Sequence, residues 1–217
     1  MIREFASIDV YYLVLAARWT LALTALAFAG GGAVGVLVAL LRVAPLAALR
    51  MLGAGYVNIV QGIPVLAWLF VFFFGLPIIA GVQVSPWIAA MVAFSVYAGA
   101  FLGEIWRGCL QAIPRQQWEA GAALGLSFAE QLRHVIIPQA VRIAIPPTVG
   151  FLVQLIKNTS LAAVIGFIEL TREGQLTTAA TYRPFTVYIV VAAIYFMMCF
   201  PLTQLSRRLE RTLHVAR

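Results

Sequence analysis

Charged residues are scarce in this sequence. Of its 217 residues, 11% are charged and 63% are hydrophobic, and the mean hydropathy is +0.95. A soluble domain usually carries about 25% charged residues. So few polar side chains cannot cover a water-facing surface, which excludes an ordinary soluble domain. The composition predicts that lipid is the solvent for much of the chain.

Cysteine and lysine are rarer still. Cys109 and Cys199 have no spacing typical of a metal site or a redox pair, so we predict no metal site. Lys157 is the single lysine, and the sequence has no G-x-x-x-x-G-K-[ST] phosphate loop. We therefore expect no cofactor bound by the chain itself. The net charge of +7 comes from scattered arginines beside apolar segments. We interpret them as partners of phospholipid headgroups, not of nucleic acid.

Long uncharged runs predict five membrane-spanning helices in a single domain covering residues 1–217. About 20 apolar residues cross the hydrocarbon core as a helix. The uncharged stretch between Arg50 and Glu104 is too long for one span, and its turn-prone part at 77–86 divides it in two. The sequence therefore predicts an all-α membrane protein. The expected spans lie near 19–41, 52–76, 87–106, 143–168 and 185–206.

The arginines indicate the orientation of these spans. If the C-terminus is cytoplasmic, ten arginines lie on the inside: two after the first span, four around the segment 108–142 and four after the last span. Four lie on the outside. This excess fits the positive-inside rule. We therefore predict an N-terminus outside, and a C-terminus and a 108–142 segment in the cytoplasm.

The polar segment 108–142 has the features of two short helices joined at a glycine. Residues 119–124 are strong helix formers, and Gly125 is typical of a helix C-terminus. Ser127 fits an N-cap, and Glu130 three residues later completes a capping box. On these features alone, the segment is either a plain connector between spans or a docking element.

This segment resembles the EAA motif of bacterial ABC-importer permeases. That pattern is Glu-Ala-Ala, three residues, Gly, nine residues, Ile, one residue, Leu-Pro. The identical positions are Glu119, Ala120, Gly125 and Pro138, and the substituted positions are Gly121 for Ala, Val135 for Ile and Ile137 for Leu. We expect Pro138 to close the second short helix. The resemblance implies that Glu119, Ala120, Gly121, Gly125 and Pro138 couple the permease to an ATPase subunit.

The resemblance extends over nearly the whole chain and narrows to the polar amino acid permeases (the histidine, glutamine, glutamate and arginine importers). The residues 61–64, Gln-Gly-Ile-Pro, are similar to the family's Arg-Gly-Thr-Pro. The residues 157–161, Lys-Asn-Thr-Ser-Leu, stand for Lys-Asp-Thr-Ser-Leu. Further similar stretches are Phe74–Pro77, Gly99–Gly108 and Glu169–Thr171. The main departures are Gln61 for Arg, Ile63 for Thr, Gln116 for Gly and Asn158 for Asp.

The resemblance implies an ABC type I importer permease fold with a cytoplasmic coupling-helix loop. It further implies pairing with an identical or related permease subunit in a bacterial inner membrane. A dimer of ABC ATPase subunits would supply ATP hydrolysis, so the chain itself would bind no ATP and would not be an enzyme. An extracytoplasmic amino-acid-binding protein would deliver the polar amino acid.

Polar residues inside the predicted spans are candidates for the substrate path. Charge within a membrane is costly and tends to face a cavity or a partner. Lys157 and its three successors either line the path, or bond backbone carbonyls while Lys157 snorkels. The candidates are Gly62, Pro64, Glu104, Lys157, Asn158, Thr159 and Ser160.

Three local patterns within the spans have structural interpretations as well. Pro64 should kink the second span, since it removes one backbone hydrogen bond. Glu104 can pair with Arg107 three residues later, as a structural salt bridge or as a gate. We expect Pro146 and Pro147 to open the fourth span, where proline is tolerated.

Small residues recur at four-residue spacing in the first span, at Ala27, Gly31, Gly35 and Ala39. Such a stripe lets another helix approach closely, either within the chain or at a dimer interface.

Two other functions compete with an importer permease. A secondary transporter needs ion-coupling sites and usually two related halves, and the sequence shows no inverted repeat. A non-transporting membrane assembly subunit fits the spans, but it does not account for the pattern from Glu119 to Pro138.

Overall fold

The computed structural model describes residues 3–215, with side chains as far as residue 212. Within that range the chain forms eight helices and no strand, which confirms the all-α prediction. The helices are α1 (Ser7–Val43), α2 (Ala47–Gly62), α3 (Val65–Ala80), α4 (Pro86–Gln111), α5 (Arg115–Ala123), α6 (Phe128–Ile165), α7 (Leu170–Thr181) and α8 (Pro184–Val215).

Four of these helices, α1, α4, α6 and α8, are long and apolar enough to cross a membrane. If α2 and α3 together count as one further span, the total is five. The axes of these two helices, however, meet at an angle of 96°. The segment predicted as one span near 52–76 is therefore two helices. Ile63 between them is extended (φ −113°, ψ 132°), because the ring of Pro64 disfavours a helical conformation in the preceding residue.

Helix α1 begins at Ser7, twelve residues before the span predicted near 19–41. Its 37 residues make a helix of about 55 Å, well beyond the ~30 Å of the hydrocarbon core. Asp9 stabilises the start by accepting a hydrogen bond from the backbone N–H of Ala6 at 2.9 Å. Arg3 forms a salt bridge with the same carboxylate. These polar contacts stabilise the N-terminal end of the helix, which precedes the uncharged run that defined the predicted span.

The small-residue stripe of α1 packs against α4 within the chain. All four of its residues are buried. A β-carbon added at Gly31 would lie 2.4 Å from Cβ of Ala98, and one added at Gly35 would lie 3.0 Å from Cβ of Leu102. The two backbones are thus in close contact, and the stripe serves intramolecular packing, one of the two interpretations of the pattern.

Helix α6 passes through its prolines without ending. Pro138, expected to close a short helix, lies just after a π-helical turn at Leu132–Ile136 and inside the continuous helix, so that expectation is wrong. Pro146 and Pro147 lie in the middle of the helix and do not open it. The carbonyl oxygen of Pro146 accepts a hydrogen bond from Ser206 of α8 at 3.0 Å, and this contact ties α8 to the irregular part of α6.

Candidate functional site

The loop between α4 and α6 carries the residues predicted to couple the chain to an ATPase. Helix α5 ends with Gly125 in the left-handed region at φ +75°. The N–H of Leu126 donates to the carbonyl oxygen of Gly121 at 3.1 Å, and the N–H of Gly125 donates to that of Ala122 at 2.9 Å. This bond pair is a Schellman motif, which needs a left-handed residue at the glycine position. The predicted helix stop at Gly125 is confirmed.

The start of α6 is capped as the sequence predicts. The backbone N–H of Ser127 donates to Glu130 Oε2 at 2.8 Å, and the N–H of Glu130 donates to Ser127 Oγ at 3.4 Å. The Ser127 hydroxyl also donates to the carboxylate, at 2.7 Å. These donors stabilise the charged form, so they lower the pKa of Glu130 below its ordinary value.

Gln131 links the two ends of the turn between α5 and α6. It was not among the residues predicted for this loop. Its side-chain amide donates to the carbonyl oxygen of Leu126 at 2.8 Å, and it is buried against Gly121. The rings of Trp118 and Phe128 stack on each other, with their centroids 5.8 Å apart, and join α5 to the start of α6. The one hint in the sequence was the glycine at position 121, where the motif has alanine.

The outer surface of this loop combines an acid with apolar residues. Glu119, Ala120, Gly125 and Pro138 are exposed, whereas Gly121 is buried. Leu124 is 79% exposed at the tip. An exposed leucine beside small residues and an acid, on a backbone held by caps at both ends, is suited to a protein contact.

A polar face runs along α4 between α2 and α6. The side-chain amide of Gln154 donates to the Tyr97 hydroxyl at 3.2 Å, and Asn158 lies against the same hydroxyl. On the other side, the amide of Gln61 approaches the carbonyl oxygen of Ala100 at 3.5 Å. We refer to Gln61, Tyr97, Gln154 and Asn158 as the amide cluster.

Three members of the amide cluster were not among the predicted path residues. Gln154 precedes Asn158 by four residues in the same span, so helical periodicity would place the two on one face. Gln61 departs from the family pattern, which has arginine at this position. Tyr97 had no signal of its own. The ring centroids of Tyr97 and Phe101 lie 4.4 Å apart, and those of Phe101 and Phe151 lie 5.7 Å apart. Aromatic rings therefore pack beside the polar groups of the cluster.

Lys157 and Asn158 face different neighbours. Asn158 points towards α4, whereas Lys157 is exposed on the side of α6 that packs against Cys199 of α8. Thr159 and Ser160 donate to the carbonyl oxygens of residues 156 and 157, each at 2.7 Å. These are the local backbone bonds that the alternative interpretation expected. Of the four residues, the structure brings Asn158 to the amide cluster.

The remaining path candidates lie on either side of the cluster. Gly62 and Pro64 are exposed at the break between α2 and α3. Glu104 lies two turns beyond Tyr97 on α4 and forms salt bridges with Arg107 and Arg42, the latter at 3.4 Å. The pairing predicted for Glu104 and Arg107 is thus present, and Arg42 adds a link to α1. In the part of the chain that the structure describes, no group of His, Cys, Asp and Glu could hold a metal ion.

The chain belongs to a transport family. Residues 31–215 match the family described as the binding-protein-dependent transport system inner membrane component. A probable glutamine ABC transporter permease of Bacillus subtilis, GlnM, is 36% identical over 89% of this chain and 91% of its own length. The glutamine transport permease GlnP of Escherichia coli K12 is 34% identical over 94% of this chain and 93% of its own.

Solved structures agree with this family. The crystal structure of an amino acid ABC transporter with histidines superposes with a TM-score of 0.87 at 32% identity, covering 98% of this chain and all of that one. The methionine transporter MetNI superposes with a TM-score of 0.73 at 22% identity, covering 94% and 99%, and this likeness shows the fold. The chain is therefore a multi-pass inner-membrane permease subunit of an ABC importer. It is not itself an enzyme, since the ATPase of such importers is a separate subunit.

Proposed function

We propose that this permease imports a polar, uncharged amino acid, which the amide cluster holds by hydrogen bonds on its way across the membrane. The observation that carries the proposal is that Gln154 and Asn158 lie at the Tyr97 hydroxyl of α4, while Gln61 reaches the carbonyl oxygen of Ala100 three residues further along the same helix. Side-chain amides and a hydroxyl both donate and accept hydrogen bonds, so they suit a solute that carries an amide or hydroxyl group. Two of the relatives named above are described as glutamine permeases, in agreement with this class.

The absence of a carboxylate at position 158 supports an uncharged solute. In a low-dielectric interior, a carboxylate attracts a cation far more strongly than it does in water. Asn158 keeps the hydrogen-bonding capacity of the family's aspartate and lacks its charge. An acidic solute held by Lys157 is the second candidate, since that amine is exposed within a span. It is less favoured because Lys157 faces α8 and not the cluster.

The coupling loop supplies the second part of the proposal. We infer that the exposed residues Glu119, Ala120 and Leu124 dock into a groove of an ATPase subunit, and that two such subunits serve this permease and a second, identical or related one. ATP is bound by those subunits, and this chain binds no cofactor. An extracytoplasmic binding protein delivers the amino acid to the side where the N-terminus lies.

Substrate class is tested by ATP-dependent uptake in proteoliposomes that contain the complete complex and its binding protein. Wild-type vesicles should accumulate labelled glutamine in preference to glutamate and arginine. Asn158→Asp should raise the ratio of arginine to glutamine uptake, because it adds a negative charge to the cluster. Gln83→Glu adds the same charge outside the spans and should leave the ratio unchanged. Preferential arginine uptake by the wild type would contradict the proposal.

Orientation is tested by thiol labelling of intact cells. Gln83 and Ser127 are both exposed, and they lie on opposite sides of the membrane in the proposed arrangement. In a background without Cys109 and Cys199, a membrane-impermeant maleimide should label Gln83→Cys from outside. Ser127→Cys should react after the cells are opened. Labelling of Ser127→Cys in intact cells would show that the orientation is opposite to the proposed one.

A further inference from the structure

An apolar groove of about 410 Å³ lies between α1, α4 and α6, at the end of the spans next to the coupling loop. Its floor contains the small residues Ala39, Ala140 and Ala144, and its rim the exposed Val141 and Ile145. Along α6 it extends from Ile137 to Val149, a helix length of about 18 Å. The part from the level of Arg142 to Val149 is about 10 Å long and suits the first part of an extended hydrocarbon chain.

The wall of the groove offers an entering molecule almost no free hydrogen-bonding group. The hydroxyl of Thr148 accepts a hydrogen bond from Trp106 Nε1 at 2.9 Å, so both polar atoms are already partnered. Cys109 and Leu110 complete the α4 side as buried side chains. A polar solute would lose its hydration here without compensation, whereas an apolar one would not.

The groove and the amide cluster occupy opposite sides of α4. At about 100° per residue, Trp106 projects about 180° and Cys109 about 120° away from Tyr97. The polar face is the side proposed for the amino acid. The groove therefore opens away from it, between membrane-spanning helices, where the surrounding medium is lipid.

An exposed arginine adjoins the stretch of α6 that lines the groove. Arg142 follows Val141 on α6 and is exposed, and its direction from the helix axis is within about 20° of that of Val149, which lines the groove. Arg133 is exposed on the same helix, nearer the coupling loop. Guanidinium groups bind phosphate through charge-assisted hydrogen bonds.

We propose that the groove binds one acyl chain of an anionic phospholipid, with its phosphate at Arg142. Under the orientation proposed above, this lipid belongs to the cytoplasmic leaflet. The site lies beside the α6 segment that continues into the coupling loop, so the lipid would support the packing of α1, α4 and α6 next to the ATPase contact. Binding itself does not depend on which amino acid the permease carries.

Native mass spectrometry of the delipidated permease–ATPase complex tests this site. Phosphatidylglycerol or phosphatidylcholine with the same acyl chains is added back. The wild type should retain phosphatidylglycerol in preference to phosphatidylcholine by about fivefold, the contribution expected from one arginine at a membrane surface. Arg142→Gln should retain both lipids equally. Ala144→Trp should retain neither, since its indole occupies the groove.

Two further variants keep the test decisive. Val141→Trp also directs an indole into the groove, but from an exposed position that does not overpack the core, so it replaces Ala144→Trp if that variant does not assemble. Ala193→Trp is the control, because it adds an indole to an exposed position on α8 and should retain lipid as the wild type does. Equal lipid retention by the wild type and both groove variants would overturn the proposal.

A second permease copy is the alternative occupant of the groove. In a background without Cys109 and Cys199, Val141→Cys should form no disulfide between copies if lipid fills the groove. An efficient disulfide between the two permeases of the assembled complex would show that a partner covers it, and would also overturn the proposal.

Discussion

Gly121 and Gln131 fit together because residue 121 has no side chain. A β-carbon added there would lie 2.9 Å from Cγ and 3.3 Å from Cδ of Gln131, closer than side-chain atoms ordinarily pack. Gln131 has little freedom to move away, because its amide is bonded to the carbonyl oxygen of Leu126. The glycine in place of the motif's second alanine is therefore matched to a glutamine ten residues later.

Gly121→Ala should destabilise the coupling loop, although alanine is the residue of the family pattern. Overpacking of this kind costs about 1–3 kcal/mol. We expect ATP-dependent uptake to fall while the protein remains in the membrane, and Gln131→Ala in the same chain to restore part of the loss. Gly108→Ala is the control, since a β-carbon at that position meets nothing within 4 Å. Wild-type uptake by the Gly121→Ala single variant would show that the loop accommodates the methyl group.

Gly125 should tolerate asparagine and not valine. A β-carbon at this position has open space around it, so the cost of substitution comes from the backbone at φ +75°. Left-handed geometry costs most L-residues about 1–2 kcal/mol, and asparagine adopts it most readily. Gly125→Val should therefore uncouple ATP hydrolysis from uptake, while Gly125→Asn stays near wild type. If both variants transport normally and bind the ATPase, this loop is not the docking element.

The contact between α1 and α4 can be tested with adjacent glycines. Gly31→Ala should lower the thermal unfolding midpoint of the purified complex, because its methyl group would lie 2.4 Å from Cβ of Ala98 and 3.0 Å from the backbone of Gly99. We expect a loss of about 1–3 kcal/mol from overpacking. Gly32→Ala makes the same change one residue later, where the nearest atom is 3.9 Å away on Trp106, and should be close to neutral. Equal midpoints for the two variants would contradict the close approach.

Glu169 should make stability depend on pH. Its carboxylate is fully buried between α1, α7 and α8, where it accepts hydrogen bonds from Tyr195 at 2.9 Å, from the N–H of Arg172 at 2.9 Å and from Thr20 at 3.3 Å. Burial raises the pKa of Glu169 above its ordinary value, in spite of these donors. The folded state thus holds the proton more tightly than the unfolded state. The resulting stabilisation is complete below the unfolded pKa of about 4.3 and is lost as the pH rises through the folded pKa.

Thermal unfolding of Glu169→Gln measures this contribution. The variant carries no titratable group at 169, so its unfolding midpoint should fall less than that of the wild type as the pH rises from about 5 to about 8. Glu173→Gln removes a carboxyl from the first turn of α7, the helix that Glu169 precedes, and should keep the wild-type pH dependence. Parallel curves for Glu169→Gln and the wild type would contradict the role assigned to the buried carboxyl.

Local features of this molecule were predictable from sequence because their causes lie within a few residues. Uncharged runs identified the four long apolar helices, since membrane crossing depends on length and polarity, although they missed the break between α2 and α3. The caps at Gly125, Ser127 and Glu130 were predictable because each bond joins residues at most five positions apart. The salt bridge of Glu104 and Arg107 follows from helical spacing in the same way.

What the sequence by itself determined is an all-helical membrane chain with a capped loop between α4 and α6. The tertiary structure decided which helix faces meet. The contact of Gln154 with Tyr97 joins residues 57 positions apart, and the approach of Gln61 to Ala100 joins residues 39 positions apart. That Asn158 faces α4 while Lys157 faces α8 likewise depends on how α6 is rotated between its neighbours. Helical periodicity separates the two side chains, but only packing between distant segments selects their partners, because the free energy of those contacts exists only once the helices are assembled.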